Sequence, residues 1–146
     1  MAGKVLSVNI SEKKGTPKTK VDPGVLIENF GFEGDAHAGH WHRQVSLLAA
    51  ESIEKAKNGP INGLCHGVFA ENITTEGIEL YSLPVGTRLR VGECVLQISQ
   101  IGKECHKGCA ISKLVGKCVM PREGVFATVE KGGKVYAGDE IEVIPD

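Results

Sequence analysis

The stretch TRLRVGECVLQISQ, residues 87–100, decides the fold class of this chain. Polar and apolar side chains alternate over residues 87–91 and again over residues 94–100, which is the pattern of strands with one buried face. A glycine–glutamate pair separates the two runs, where a tight turn is expected. The stretch therefore predicts two short strands joined by a turn, with Cys94 as a small residue of the core.

The same alternation continues on both sides of this stretch. Further strand-like segments cover residues 3–10, 25–30, 124–129, 134–136 and 140–144. One helix is predicted over residues 48–57, because Ala49, Ile53 and Ala56 fall on a single helical face. Short strands separated by glycine turns predict a mainly β fold, a barrel or a sandwich with a small helical insertion.

The composition is that of a globular domain. The chain has 146 residues, with Lys+Arg 17 against Asp+Glu 18, and we expect one domain over residues 1–146. The balanced charge argues against a nucleic-acid partner, and no apolar run approaches the length of a membrane span. Met1 leads straight into an alternating pattern without a signal-peptide core, so a cytoplasmic protein is expected. The lysine-rich residues 11–20 are predicted to form a solvated surface loop.

Two glycine-containing segments hold side chains that could bind a ligand or a metal ion. Residues 31–43 hold three imidazoles, at His37, His40 and His42, which suit zinc or a similar ion, and the loop also suits an anion. A turn-rich loop with exposed histidines is the alternative. Residues 69–77 carry Asn, Thr and Glu side chains that suit either a site or the local capping of a turn.

A third cluster, residues 103–109, places Cys105 directly after a predicted strand. The lysines around it make an electropositive surrounding, which favours the thiolate, the form that binds metal or attacks an electrophile. Three interpretations stay open on these residues: a functional thiolate, an inert free cysteine, or part of a structural zinc site with Cys109 and Cys118.

The chain contains, in order, GFEGDAHAG followed by RQVSLL, then FAENITTEG, LPVGTRLRVG, LQISQ running into Cys105, and VYAGDEI. This ordered set resembles a stand-alone MOSC domain, the module named from the C-terminal part of molybdenum cofactor sulfurases. Each segment is weak evidence by itself, but together they span essentially the whole chain. The resemblance implies a MOSC-type β-barrel with a pocket at one side.

The resemblance also implies a site for the molybdenum cofactor. The family's sulfur-carrying or molybdenum-binding cysteine maps onto Cys105, and a soft thiolate suits such a centre. The residues implied to line the cofactor pocket are Asp35, His37, Arg43, Glu71 and Asn72, and those implied to hold its phosphate are Arg43, Lys103 and Arg122. Many relatives carry a proline–arginine pair before the cysteine, where this chain has IGKE at residues 101–104.

The function implied is binding of the molybdenum cofactor, with handling or delivery of the cofactor or its sulfur through Cys105. The partners would be cofactor-biosynthesis proteins or acceptor molybdoenzymes. One alternative is a small molybdenum-dependent reductase of N-hydroxylated compounds with an external electron donor. Another is a zinc-binding protein that uses the histidine and cysteine clusters, and a third is a catalytically silent barrel that binds a maturation protein.

Overall fold

The computed structural model describes residues 2–13, 18–56, 71–102 and 123–145. The described residues form short strands, one α-helix and one turn of 3-10 helix at Leu80–Ser82. In chain order the elements are β1 (Ala2–Ile10), β2 (Thr19–Val21), β3 (Gly24–Ile27), β4 (Gly31–Phe32), β5 (Val45–Ala49), α1 (Ala50–Ala56), β6 (Ile73–Glu76), β7 (Arg88–Val91), β8 (Cys94–Ile101), β9 (Val125–Lys131), β10 (Gly133–Val135) and β11 (Glu140–Ile144).

Seven of the described strands close into a barrel. They follow the order β11, β7, β8, β9, β5, β6 and β1, and β1 pairs again with β11. Neighbours in this ring are antiparallel except β5 and β6, which run parallel. Beyond the ring, β2 pairs with β1, and β10, β3 and β4 form a second, small sheet. The mainly β barrel with a small helix, predicted from the sequence, is confirmed.

The turn predicted between residues 91 and 94 joins β7 to β8. Leu89 lies opposite Leu96 and Val91 opposite Cys94 in an antiparallel ladder, and all four side chains are buried inside the barrel. Because successive side chains of a strand point to opposite faces, the alternation of the sequence fixes this register. Cys94 is thus a core residue, as predicted.

The strand predicted over residues 25–30 ends at Ile27, and residues 28–30 form a turn. Two further segments differ from the sequence-based expectation. The helix begins at Ala50, later than expected, because Leu48 and Ala49 lie in β5 and pair with Thr74 and Thr75 of β6. The lysine-rich segment is not wholly a solvated loop, since its last residues pair with β1 and Lys18 is buried. In both cases long-range pairing prevails over the local pattern. No helix among the described residues is long and apolar enough to cross a membrane.

Gly31 fixes the course of the loop between β4 and β5. Its φ is 126°, a value that side-chain-bearing residues rarely adopt, and a Cβ there would lie 2.5 Å from the carbonyl oxygen of Gln44. The two ends of residues 31–44 are therefore in direct backbone contact. This closure places the histidine-bearing loop against the barrel.

Candidate functional site

Asp35 joins the start of this loop to the end of β1. Its Oδ1 accepts hydrogen bonds from the Ser11 N–H at 3.1 Å and from Lys18 Nζ at 2.6 Å, and its Oδ2 accepts from the His37 N–H at 3.2 Å. The Lys18–Asp35 ion pair is fully buried, with both side chains 0% exposed. A buried ion pair is tolerated when further hydrogen bonds satisfy its polar atoms, and the contacts from the Ser11 and His37 N–H groups satisfy those of Asp35.

The three histidines of the loop bind three different partners. Lys18 Nζ lies 3.1 Å from His37 Nδ1, His40 Nδ1 lies 2.9 Å from the Asn29 carbonyl, and His42 Nε2 lies 2.8 Å from Gln100 Oε1. Within the described ranges, no group of three or more His, Cys, Asp or Glu residues is placed to hold a metal ion. The described histidines therefore do not form a zinc site among themselves.

Arg43 lies at the other end of the loop as a partly buried cation. Its Nε donates to Gln100 Oε1 at 3.1 Å, and its guanidinium carbon lies 5.3 Å from the ring centre of Phe126 and 6.0 Å from that of Trp41. No carboxylate of the described chain forms a salt bridge with it. A guanidinium held by aromatic faces, with its terminal nitrogens available, is suited to bind an anion.

Five residues, four in strands and one directly before β6, connect across the face of the barrel opposite its apolar core. Gln100 pairs with Phe126, Phe126 with Ser46, Ser46 bonds to Asn72, and the Asn72 carbonyl accepts from the Asn9 N–H. We call these five residues the outer row. The loop contacts one end of it through the bond from Arg43 to Gln100, and Asp35 bonds to Ser11, two residues beyond Asn9 at the other end.

Asn72 binds the centre of the outer row together. Its Oδ1 accepts from the Ser46 N–H at 2.9 Å and the Ser46 hydroxyl at 3.2 Å, and its Nδ2 donates to the Asn9 carbonyl at 3.1 Å. All three residues are buried. The described contacts of the Asn72 side chain are therefore with protein groups of β1 and β5.

Glu71 is a fully buried carboxylate beside this row. Its Oε2 accepts from the Thr74 hydroxyl at 2.7 Å, and Thr74 Oγ1 in turn accepts from Asn9 Nδ2 at 3.2 Å. Two neighbouring buried oxygens, Asn9 Oδ1 and Ser7 Oγ, have no hydrogen-bond partner within the described part of the chain. Buried polar atoms are normally paired, so these two acceptors leave room for a donor group.

The structure brings most of the predicted site residues to the outer row. Arg43 lies at one end, Asp35 and His37 at the other, and Glu71 and Asn72 between β6 and β1. Their assignment to a cofactor pocket stays a prediction. Lys103, Cys105 and Arg122, together with Cys109 and Cys118, lie outside the described residues.

Two residues of the site were not singled out from the sequence. Lys18 stands in a run of lysines that looked solvated, and nothing local distinguishes the one that is buried. Gln100 looked like an ordinary strand end, yet its Oε1 accepts from both Arg43 and His42, and its Nε2 donates to the Gly102 carbonyl at 2.7 Å. Gln100 thus links the loop to the backbone that leads toward residue 105.

The donors and acceptors present fit the molybdenum cofactor. A cation without a carboxylate partner suits a phosphate, and Arg43 has none among the described residues; aromatic and amide neighbours suit a planar ring with amine and carbonyl groups. Trp41 is 37% exposed next to Arg43, and Asn9 Oδ1 is an acceptor without a described partner. The chemistry of the described residues is compatible with such a ligand.

One outer face of the barrel carries a cation, an exposed aromatic ring and buried amides. These features define the class of protein as a β-barrel suited to an anionic, hydrogen-bonding ligand. Residues 33–142 match the MOSC domain, and the chain therefore belongs to the MOSC domain family. That family is associated in general with molybdenum cofactor binding.

Similar proteins come from several bacteria. Protein YiiM of Escherichia coli is 24% identical over 127 residues, which cover 72% of this chain and 50% of that protein. The uncharacterized protein YflK of Bacillus subtilis is 25% identical over 154 residues, covering 97% of this chain and 70% of that protein. The match thus spans half the length of YiiM.

Solved structures show the same fold. The crystal structure of YuaD from Bacillus subtilis superposes with a TM-score of 0.81 at 20% identity, over 98% of this chain and 96% of that one. YiiM from Escherichia coli superposes with a TM-score of 0.69 at 25% identity, over 100% of this chain and 71% of that one.

Proposed function

We propose that this MOSC domain binds the molybdenum cofactor and hands on the cofactor or its sulfur, with Cys105 as the sulfur ligand or carrier. The observation that carries the proposal is the Arg43 guanidinium, partly buried over Phe126 and without a carboxylate partner among the described residues. Such a group satisfies its remaining N–H donors with an anion, and phosphate oxygens match its fork geometry.

The residues have separate tasks in this proposal. Arg43 holds the phosphate, and Gln100 fixes the guanidinium through its Nε. Lys103 and Arg122 are proposed as further phosphate ligands. His37 and Asp35 form the opposite wall, where a hydrogen bond from Trp41 Nε1 to the His37 carbonyl, 2.7 Å long, joins the two halves of the loop.

Glu71 and Asn72 form the part of the proposed pocket that lies against the barrel strands. Their described contacts hold Thr74, Ser46 and Asn9 in place, so they orient the acceptors that a pterin ring would meet. When bound, the cofactor supplies a molybdenum centre with sulfur ligands. The chain's part is to bind, orient and shield it, and to offer a thiolate at Cys105.

The test is the metal and pterin content of the purified protein. The chain is purified anaerobically from cells supplied with molybdate, and molybdenum, zinc and pterin are measured per chain. We expect molybdenum and pterin in amounts stoichiometric with the wild-type chain. The Cys105→Ser variant should lose or alter molybdenum, and Arg43→Gln should lose pterin and molybdenum together.

A matched control is Arg88→Gln, which removes a guanidinium from the barrel surface, where it pairs with Glu130 at 2.6 Å. This variant should keep the wild-type content. Zinc without pterin in the wild type would overturn the proposal in favour of the metal-site alternative. Cofactor content unaffected by Arg43→Gln would overturn the assigned phosphate site. Turnover of an N-hydroxylated compound by the loaded protein with an electron donor would identify the reductase alternative.

A further inference from the structure

The ammonium group of Lys18 is surrounded by three acceptors. Its Nζ lies 2.6 Å from Asp35 Oδ1, 3.1 Å from Ser11 Oγ and 3.1 Å from His37 Nδ1. The side chain is 0% exposed, and it forms a buried ion pair with the Asp35 carboxylate. A lysine ammonium has three N–H donors and no acceptor, so it can only donate in these contacts.

This arrangement determines the protonation of His37. A proton on Nδ1 would point at an N–H of the ammonium, which cannot accept it. Nδ1 must therefore keep its lone pair toward Lys18, and the ring proton of a neutral imidazole must lie on Nε2. The doubly protonated imidazolium is excluded by the same contact, and it would also place two positive charges 3.1 Å apart.

We propose that Lys18 is a positioning residue that holds His37 as the neutral Nε2–H tautomer. His37 then acts toward a ligand as a hydrogen-bond donor, and it cannot serve as a metal ligand through Nε2 or as a general base. The part of this inference that concerns the ligand rests on the proposed cofactor function. In that pocket, His37 would donate to a carbonyl oxygen, ring nitrogen or phosphate oxygen.

The neighbours of the ring support a fixed orientation. The His37 N–H donates to Asp35 Oδ2 and its carbonyl accepts from Trp41 Nε1, so the backbone is held on both sides. Two charged residues that contact His37 are Lys18, from the segment before β2, and Asp35, from its own loop. Asp35 bonds to the backbone of His37, whereas Lys18 contacts the ring.

The test is nitrogen NMR of the protein labelled with ¹⁵N in its histidine rings, with the His37 signals assigned from their loss in His37→Gln. In the wild type, we expect a protonated Nε2 and an unprotonated Nδ1 at every pH between about 5.5 and 7.5, the range where an ordinary histidine titrates. An Nδ1–H tautomer, or an imidazolium that forms within this range, would overturn the proposal.

Variants separate the role of Lys18 from a general effect on folding. In the double variant Lys18→Met, Asp35→Asn, which removes both buried charges together, His37 should become titratable in this range while the dispersed spectrum of a folded protein persists. A folded double variant whose His37 stays unprotonated at Nδ1 throughout would show that Lys18 is not the cause. If the variant does not fold, the wild-type measurement still decides.

A zinc titration gives a second readout. Zn²⁺ added to the wild-type protein should leave the His37 nitrogens unshifted, because Nε2 has no free lone pair, and direct coordination there would refute the inference. These experiments need no bound cofactor. A protein that fails to carry molybdenum can therefore still confirm the tautomer, so the two proposals can fail separately.

Discussion

Replacement of Asn72 by alanine tests whether the outer row is a framework of the fold. The side chain of Asn72 makes three described hydrogen bonds, two from Ser46 and one to the Asn9 carbonyl, between β5 and β1. All of them are buried, so bulk water does not freely replace the lost partner. The Asn72→Ala variant should therefore lose stability whether or not any ligand is bound.

The size of the loss follows from these contacts. A buried hydrogen bond contributes about 1 kcal/mol net, so three give about 3 kcal/mol. The Ser46 N–H loses its acceptor at 2.9 Å, and the cost of leaving a buried donor without that acceptor raises the upper bound to roughly 5 kcal/mol. For a domain of this size, a loss of about 3 kcal/mol lowers the midpoint of thermal unfolding by roughly 6–12 °C.

The measurement is urea and thermal unfolding of the cofactor-free protein, followed by circular dichroism. Glu130→Ala is the control, because the pair between Glu130 and Arg88 is exposed on the surface, and it should change stability by about 0.5 kcal/mol or less. A loss below about 1 kcal/mol for Asn72→Ala would refute the framework role. Asn72 would then be free to act mainly as a ligand-binding residue.

Two further predictions concern the core and the loop. Burial, with Glu93 and Asp139 nearby, raises the pKa of Cys94 to about 11, so alkylation at pH 8 should spare Cys94 in the folded protein. Rapid labelling of this residue, detected by mass spectrometry, would contradict that. The Cys94 thiol of the unfolded chain ionises near pH 8.5, whereas that of the folded protein stays protonated to higher pH. The free energy of unfolding should therefore fall as pH rises from about 8.5 toward 11. This alkaline loss should be smaller in Cys94→Ala. Gly31→Ala should cost more than about 2 kcal/mol by urea unfolding, because its Cβ would meet the Gln44 carbonyl. Gly138→Ala is the matched control, with a φ of 94° and no atom within 4 Å of the Cβ position, and equal losses would show that the contact is unimportant.

The sequence predicts the barrel well because alternation is a local property. Residues 87–100 specify a face, a turn and a register without reference to any other segment, and the structure confirms them. The periodicity places Leu48 and Ala49 in the helix, whereas the structure places them in β5, because they pair in parallel with β6, which is distant in the chain. Such pairing leaves no periodic signal in the segment itself.

The site could be predicted only in part for the same reason. Family motifs point to Asp35, His37 and Arg43 on one loop, but side chains that contact them come from elsewhere. Lys18 precedes Asp35 by 17 residues and Gln100 follows Arg43 by 57. The sequence around Lys18 and Gln100 does not indicate that either side chain is buried or makes a specific contact. Their roles can therefore be inferred only from the three-dimensional structure.

Some residues at the outer row stabilise the strands and others are available to bind a ligand, and this difference affects how a loss of function must be interpreted. Asn72 and Ser46 hold β5, β6 and β1 together with bonds that satisfy one another, whereas Arg43 has terminal nitrogens available and a single described polar contact through Nε. A change at Asn72 therefore disturbs the strands that position everything above them, and it lowers ligand binding even if Asn72 never touches the ligand. A change at Arg43 removes a cation from the edge of the row, where its described contacts are one hydrogen bond to Gln100 and the rings of Phe126 and Trp41. Cofactor loss with unchanged stability thus identifies a ligand-binding residue, and cofactor loss with lowered stability identifies the framework beneath it.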